Sequence, residues 1–189
     1  MNLEGSDNRP PRLKTRRAYS GKVISLDVDT VRFPDGSVGE LEMIRHPGAS
    51  AVVPFLDDPR SEDPRILLIR QYRYAADSFL LEIPAGQLEP GETPEACAAR
   101  ELEEETGRKA RNFRKLFELY TTPGFTDERI HLFVAWNLEA GTLARERDEF
   151  IDEVPVRLST ALQMTEGGEI VDAKTALGIL CSARLKDFS

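Results

Sequence analysis

The sequence predicts an α+β fold in which a mixed β-sheet is covered by helices and preceded by a small antiparallel β subdomain. Three observations predict it. The runs SAVVPFL and RILLIRQYR have the length and branched apolar content of strands near the centre of a sheet. The segment TPEACAARELEEETG opens on a threonine suited to cap a helix and closes on a glycine suited to stop one. Between Lys22 and Arg45, alternating KVISLDVDTVRF and LEMIR flank the turn PDGS, as in a hairpin.

Taken in order, residues 1–12 are rich in Asn, Asp, Pro and Arg, have little to bury, and read as a disordered tail. Residues 13–47 form the β subdomain, and residues 48–189 the main domain. The Asp/Pro/Ser-rich DDPRSEDP separates the first two strands of that domain. FLLEIPAG then leads through the polar loop QLEPGE into the helix, where Thr93 is the expected cap and Pro94 suits the first turn. Strands are expected near FRKLFELYTT, IHLFVAWNL and EVPVRL, with PGFTDE and the charged ARERDEF as loops between them. Two helices close the chain, STALQMTEGG and the amphipathic DAKTALGILCSARLK.

Composition excludes several function classes. A chain of 189 residues with 40% apolar content suits one principal core. A net charge of −8 and a pI near 5.0 disfavour a nucleic-acid partner. Cys97 and Cys181 are too few and too far apart for a disulfide framework or a thiolate zinc site, which fits a reducing cytoplasm. No apolar run is long enough to span a bilayer and the N-terminal stretch is polar, so no membrane partner is expected.

The chemistry is concentrated on the first helix. At about 100° per residue, Glu101 and Glu105 lie one turn apart on one face and Glu104 lies beside them. Like charges so spaced repel, and a bound cation is one reason to keep them; a solvated acidic face is the other reading. Glu103 points away toward solvent. Oxygen-only donors favour hard cations such as Mg²⁺ or Mn²⁺, commonly shared with substrate phosphates.

The flanking residues decide between these readings. In GQLEPGETPEACAARELEEETGR, Gly86, Glu92, Arg100, Glu101, Leu102, Glu104, Glu105 and Gly107 stand in the register of the Nudix signature. Only its final apolar position departs, being Arg108, which bears on local packing rather than on the metal site. The chain thus resembles the Nudix hydrolases, which cleave nucleoside diphosphates linked to another moiety. The resemblance implies an α/β/α sandwich and a loop–helix–loop site in which Glu101, Glu104, Glu105 and the Ala85 carbonyl hold Mg²⁺, with Mn²⁺ as the alternative. Arg100 and Glu92 are scaffold in this reading, and Gly86 permits the tight loop.

Pro123, sixteen residues after Gly107, together with IRQYR and LLEIPAG, resembles the ADP-ribose pyrophosphatase branch. That branch implies a homodimer built through the β subdomain, and hydrolysis of ADP-ribose to AMP and ribose 5-phosphate. Substrate contacts are then expected from Arg73, Glu82, Pro123 and Gly124. Arg70 and Arg73 bracket RQYR, and each either forks onto a diphosphate or pairs with a surface acid. Glu82 contacts a ribose or the metal shell, or pairs with an arginine. Glu104 and Glu105 also count as catalytic. Glu149 resembles the loop glutamate that serves as general base, with Glu146, Asp148 and Glu153 as competitors. His46, His131 and Cys97 carry no chemistry, and Trp136 belongs to the core or an interface. The alternatives are another nucleoside diphosphate sugar, such as GDP-mannose, and a non-catalytic nucleotide-binding module.

Overall fold

The computed structural model describes residues 11–145 and 150–185. They form two compact units, one of residues 11–47 with 120–129, the other of residues 48–119 with 130–145 and 150–185. The expected tail lies outside the described residues but for Pro11 and Arg12.

The first unit is a three-stranded antiparallel sheet in the order β1 (Arg12–Ser20), β2 (Ser25–Arg32), β3 (Val38–Arg45). The alternation predicts β2 and β3. It does not predict β1, an edge strand exposed at every position and irregular in register, which therefore carries no apolar period. Asp27 and Asp29 of β2 are buried, and both pair with Arg45; Arg17 adds a second cation to Asp27, and the Thr15 hydroxyl donates to Asp29 at 2.6 Å. Segment 120–129 joins this unit. The Ile44 N–H donates to the Phe125 carbonyl at 2.8 Å, and Arg45 pairs with Asp127 at 3.1 Å.

The second unit holds two sheets. One is mixed, in the order β7 (Ala85–Gln87), β4 (Ala49–Pro54), β9 (Arg129–Ala140), β8 (Arg108–Tyr120), with β4 parallel to β9 and antiparallel to β7. The other, β10 (Ile151–Arg157), β5 (Arg65–Arg73), β6 (Ser78–Glu82), is antiparallel. Both faces of β4 are buried, which is why SAVVPFL is continuously apolar. On one face Ala51, Val53 and Phe55 pack with Ile66, Leu68, Leu132, Val134 and Trp136. Helices α2 (Leu158–Glu166) and α3 (Ala173–Ser182) supply Ala161 and Ile179 to that core. On the other, Val52, Phe133 and Ala135 meet Ala98 and Leu102 of α1 (Pro94–Thr106). Sheet between helices is the expected sandwich.

The helix ends explain how α1 and α3 are aimed. Thr93 caps α1 by accepting from the Ala96 N–H at 3.2 Å, and Gly107 ends it at φ 64°, donating to the Glu103 carbonyl at 2.7 Å. Asp172 caps α3 through the Thr175 N–H at 3.0 Å. The Thr175 hydroxyl in turn accepts from the Ile83 N–H at 2.9 Å, tying the start of α3 to the connection between β6 and β7. Close packing of α3 on β4 depends on Gly178, where a Cβ would stand 2.9 Å from Val53.

Candidate active site

The acidic face of α1 is held by one guanidinium. Arg100 Nη1 donates to Glu101 at 2.6 Å and to Glu104 at 3.0 Å, while Nε and Nη2 grip Glu92 at 2.9 and 3.0 Å. Nη2 also reaches the Gln87 carbonyl at 3.0 Å, so Arg100 fastens the polar loop to the helix. Arg100 first of all pushes Glu92 down to about 2, against some burial and with help from the Glu89 N–H. The expected scaffold role of Arg100 and Glu92 matches these contacts.

Glu101 and Glu105 are buried and Glu104 is half-buried. Glu105 accepts from the Ala85 N–H at 3.2 Å, which brings β7 against the helix. The approach is close at Gly86. A Cβ there would lie 1.9 Å from Glu101 Oε1, so only glycine lets the loop pass the carboxylate. Among the described residues no three acidic, thiol or imidazole groups close on one point, and Arg100 occupies an oxygen of both Glu101 and Glu104. The donor set is nonetheless all oxygen, carries more negative charge than Arg100 offsets, and fits a hard divalent cation.

Glu103 differs from expectation. It does not simply face solvent; its carboxylate accepts from the Thr142 N–H at 2.9 Å and pairs with Lys109 at 3.2 Å, pinning the chain that follows β9. Arg108, at the departing position of the signature, pairs with Glu153 at 2.8 Å. Glu153, a competitor for the base, is thereby engaged. Glu149, with Glu146 and Asp148, lies outside the described residues. Its neighbours are anchored: Arg145 donates to the Glu105 carbonyl at 2.8 Å and to the Ile151 carbonyl at 2.7 Å.

A second cluster stands on β5, β6 and α3. Glu82 is 1% exposed. Arg73 forks onto both its oxygens at 2.7 and 2.8 Å, and Lys174 donates to one of them at 2.5 Å while pairing with Asp172 at 3.0 Å. Burial pushes the Glu82 carboxyl up, and the two cations outweigh it, leaving the group below its ordinary value. Arg73 also feels the charge of Glu105, so the two clusters share one field. Lys174 escaped the sequence reading because DAKT reads as the capped start of an amphipathic helix. Arg70 is separate: it lies on the opposite face of β5, 3.9 Å from the Phe79 ring centroid and 3.5 Å from Asp152.

Pro123 and Gly124 lie in a turn of the first unit, and a Cβ on Gly124 would meet only open space. Trp136 is core. His46 and His131 each stand beside a glutamate, Glu128 at 3.5 Å and Glu118 at 3.3 Å. Both cysteines are free, and burial pushes the Cys97 thiol up to about 11. A groove of about 640 Å³ lined by Pro94, Ala99, Phe113 and Phe133 includes none of Glu101, Glu104 or Glu105.

A sheet packed between helices thus carries an arginine-bridged row of glutamates on a capped helix. Comparison with known proteins gives the family: the NUDIX domain model matches residues 45–173, and the chain belongs to that family. It is 44% identical over 163 residues to the ADP-ribose pyrophosphatase of Bacillus subtilis strain 168, covering 85% of each chain. It is 40% identical over 169 residues to the methanol dehydrogenase activator of Bacillus methanolicus, covering 88% of this chain and 89% of that one. A crystal structure of an ADP compounds hydrolase superposes with a TM-score of 0.81 over 95% of each chain at 23% identity, which supports the fold. Nudix hydrolases generally require a divalent metal. Among the described residues no helix is long and apolar enough to cross a membrane.

Proposed function

We propose that this Nudix hydrolase cleaves the diphosphate of ADP-ribose to AMP and ribose 5-phosphate. The observation that carries the reading is the 44% identity, over most of both chains, to an ADP-ribose pyrophosphatase. Glu101, Glu104, Glu105 and the Ala85 carbonyl would hold Mg²⁺, or Mn²⁺ in its place. When bound, such a cation would neutralise charge on the diphosphate and favour loss of a proton from the attacking water.

The chain's own groups divide the remaining work. Arg73, fixed by Glu82, presents its remaining guanidinium edge to a diphosphate oxygen. Glu82 is too deeply paired to bind sugar itself, and its role is to set Arg73 in place. Lys174 and Asp172 hold Glu82 in turn. Glu149 accepts the proton of the attacking water; Arg145, four residues before it in the sequence, donates to the Glu105 carbonyl, which supports this. Water adds to one phosphorus, and the bridging oxygen leaves with the other. Pro123 and Gly124 contact the nucleotide.

The three-stranded unit, residues 13–47, serves a homodimer: Leu13, Tyr19, Val38 and Leu41 are exposed apolar residues on it. The partner is a small nucleotide sugar rather than nucleic acid or membrane, and the compartment is the cytoplasm. The deciding test is product release from ADP-ribose, GDP-mannose, UDP-glucose, NADH, diadenosine polyphosphates and 8-oxo-dGTP, with Mg²⁺ or EDTA, for wild type and Glu105→Gln. Metal-dependent preference for ADP-ribose, lost in the variant, is expected. Preference for GDP-mannose would move the substrate and keep the mechanism; binding without turnover would leave a nucleotide-binding module.

A further inference from the structure

Gln71 sits on β5 two residues before Arg73, on the strand face that carries the Arg73–Glu82 pair. It is 6% exposed, and its side-chain carbonyl oxygen is buried with no hydrogen-bond partner among the described residues. Its surroundings explain why. The residues directly opposite are Leu80 on β6 and Ile151 on β10, and the preceding residue on the same face is Ile69. Two of the nearby cations are committed elsewhere, Arg73 and Lys174 to Glu82. Buried carbonyls are paired as a rule, and an orphan beside the Arg73–Glu82 pair is a place where a ligand completes the set.

The chemistry of the orphan narrows the ligand. A carbonyl accepts and cannot pair with phosphate oxygens, which also accept; it needs an O–H or N–H. Gln71 and Arg73 are roughly 7 Å apart along the strand, close enough to read adjoining groups of one ligand. With Arg73 on the diphosphate, the adjoining group is the sugar it carries. We infer that Gln71 is a substrate-contact residue whose carboxamide oxygen accepts from a hydroxyl of the sugar joined to the diphosphate. The inference rests on the reading that the substrate is a nucleoside diphosphate sugar.

The test pairs Gln71→Met with ADP-ribose analogues that each lack one ribose hydroxyl. Methionine keeps the length of the side chain and removes the orphan, so the melting temperature is expected to hold or rise. On ADP-ribose, kcat/KM is expected to fall about ten-fold. Wild type should lose a similar factor on one analogue, and on that analogue the variant should lose nothing further. Gln71→Asn, which retracts the amide by one methylene, should show the same pattern and serves if Gln71→Met does not fold. A kcat/KM within about two-fold of wild type on ADP-ribose overturns the inference, as does an equal loss on every analogue. Wild type that hydrolyses no nucleoside diphosphate sugar sinks the functional reading and this inference together; normal wild-type turnover with an unaffected variant sinks the inference alone.

Discussion

The second unit buries acids in two places and treats them oppositely. On α1 a single guanidinium, Arg100, serves Glu92, Glu101 and Glu104, and Glu105 lies buried close by. At Glu82 two cations, Arg73 and Lys174, converge on one carboxylate, with Asp172 completing a neutral set. The α1 set gathers several acids around one cation, whereas the Glu82 set matches two acids with two cations. The first fits the divalent metal that Nudix hydrolases generally require. The second is a brace that fixes the direction of Arg73.

The largest effect should come from disturbing the α1 set without touching an acid. Gly86→Ala places a methyl group where the Glu101 carboxylate now lies. A ligand displaced by about 1 Å costs on the order of 100-fold. A kcat/KM for ADP-ribose lowered by about that factor in protein that still folds, with a lowered melting temperature from the clash, would mark the α1 set as the metal receptor; unchanged turnover would remove Glu101 from it.

Breaking the brace should cost stability. Lys174→Met leaves Glu82 buried with Arg73 alone. Loss of a sole partner typically costs about 3–5 kcal/mol, and because the Arg73 fork remains, about 2 kcal/mol is expected from urea unfolding. An unchanged midpoint would mean that Arg73 alone compensates Glu82.

The two clusters also differ in how they stand in the sequence. Every member of the α1 set lies within a short stretch, where helix periodicity and fixed spacing carry it, and the expected cap, stop and scaffold pairing all appear. The Glu82 brace draws on β5, β6 and the start of α3, with Lys174 92 residues from Glu82. No local period encodes that meeting. Gln71 is hidden for a related reason, since a polar residue in RILLIRQYR shows its significance only once its neighbours are known to be apolar or engaged. β1 is missed because an exposed edge strand has no pattern to read.

Acid should separate the clusters further. Glu92 is held near 2 by Arg100, against about 4.3 in an unfolded chain. Its ionised form favours the folded state fully above about 4.3, and that contribution is lost as pH falls toward 2. The melting temperature is expected to decline across this window. Glu92→Gln should begin lower at pH 7 and decline less; parallel curves would place the acid sensitivity elsewhere.

The smallest effect is expected at the margin of the α1 set, where Arg108 replaces the apolar residue of the family signature. Its pair with Glu153 is about one-third exposed on both sides. Such pairs contribute about 0–1 kcal/mol, and leucine at this half-buried position recovers some apolar burial. Arg108→Leu should therefore shift stability by less than about 1 kcal/mol in either direction. Its value lies in what it does to Glu153. That carboxylate, freed from Arg108, becomes available as a base. If kcat stays within about two-fold of wild type in Arg108→Leu and in Arg108→Leu combined with Glu153→Gln, Glu153 has no part in the chemistry and the loop glutamates carry it. If the double variant loses activity, the base belongs to β10 rather than to the loop before it.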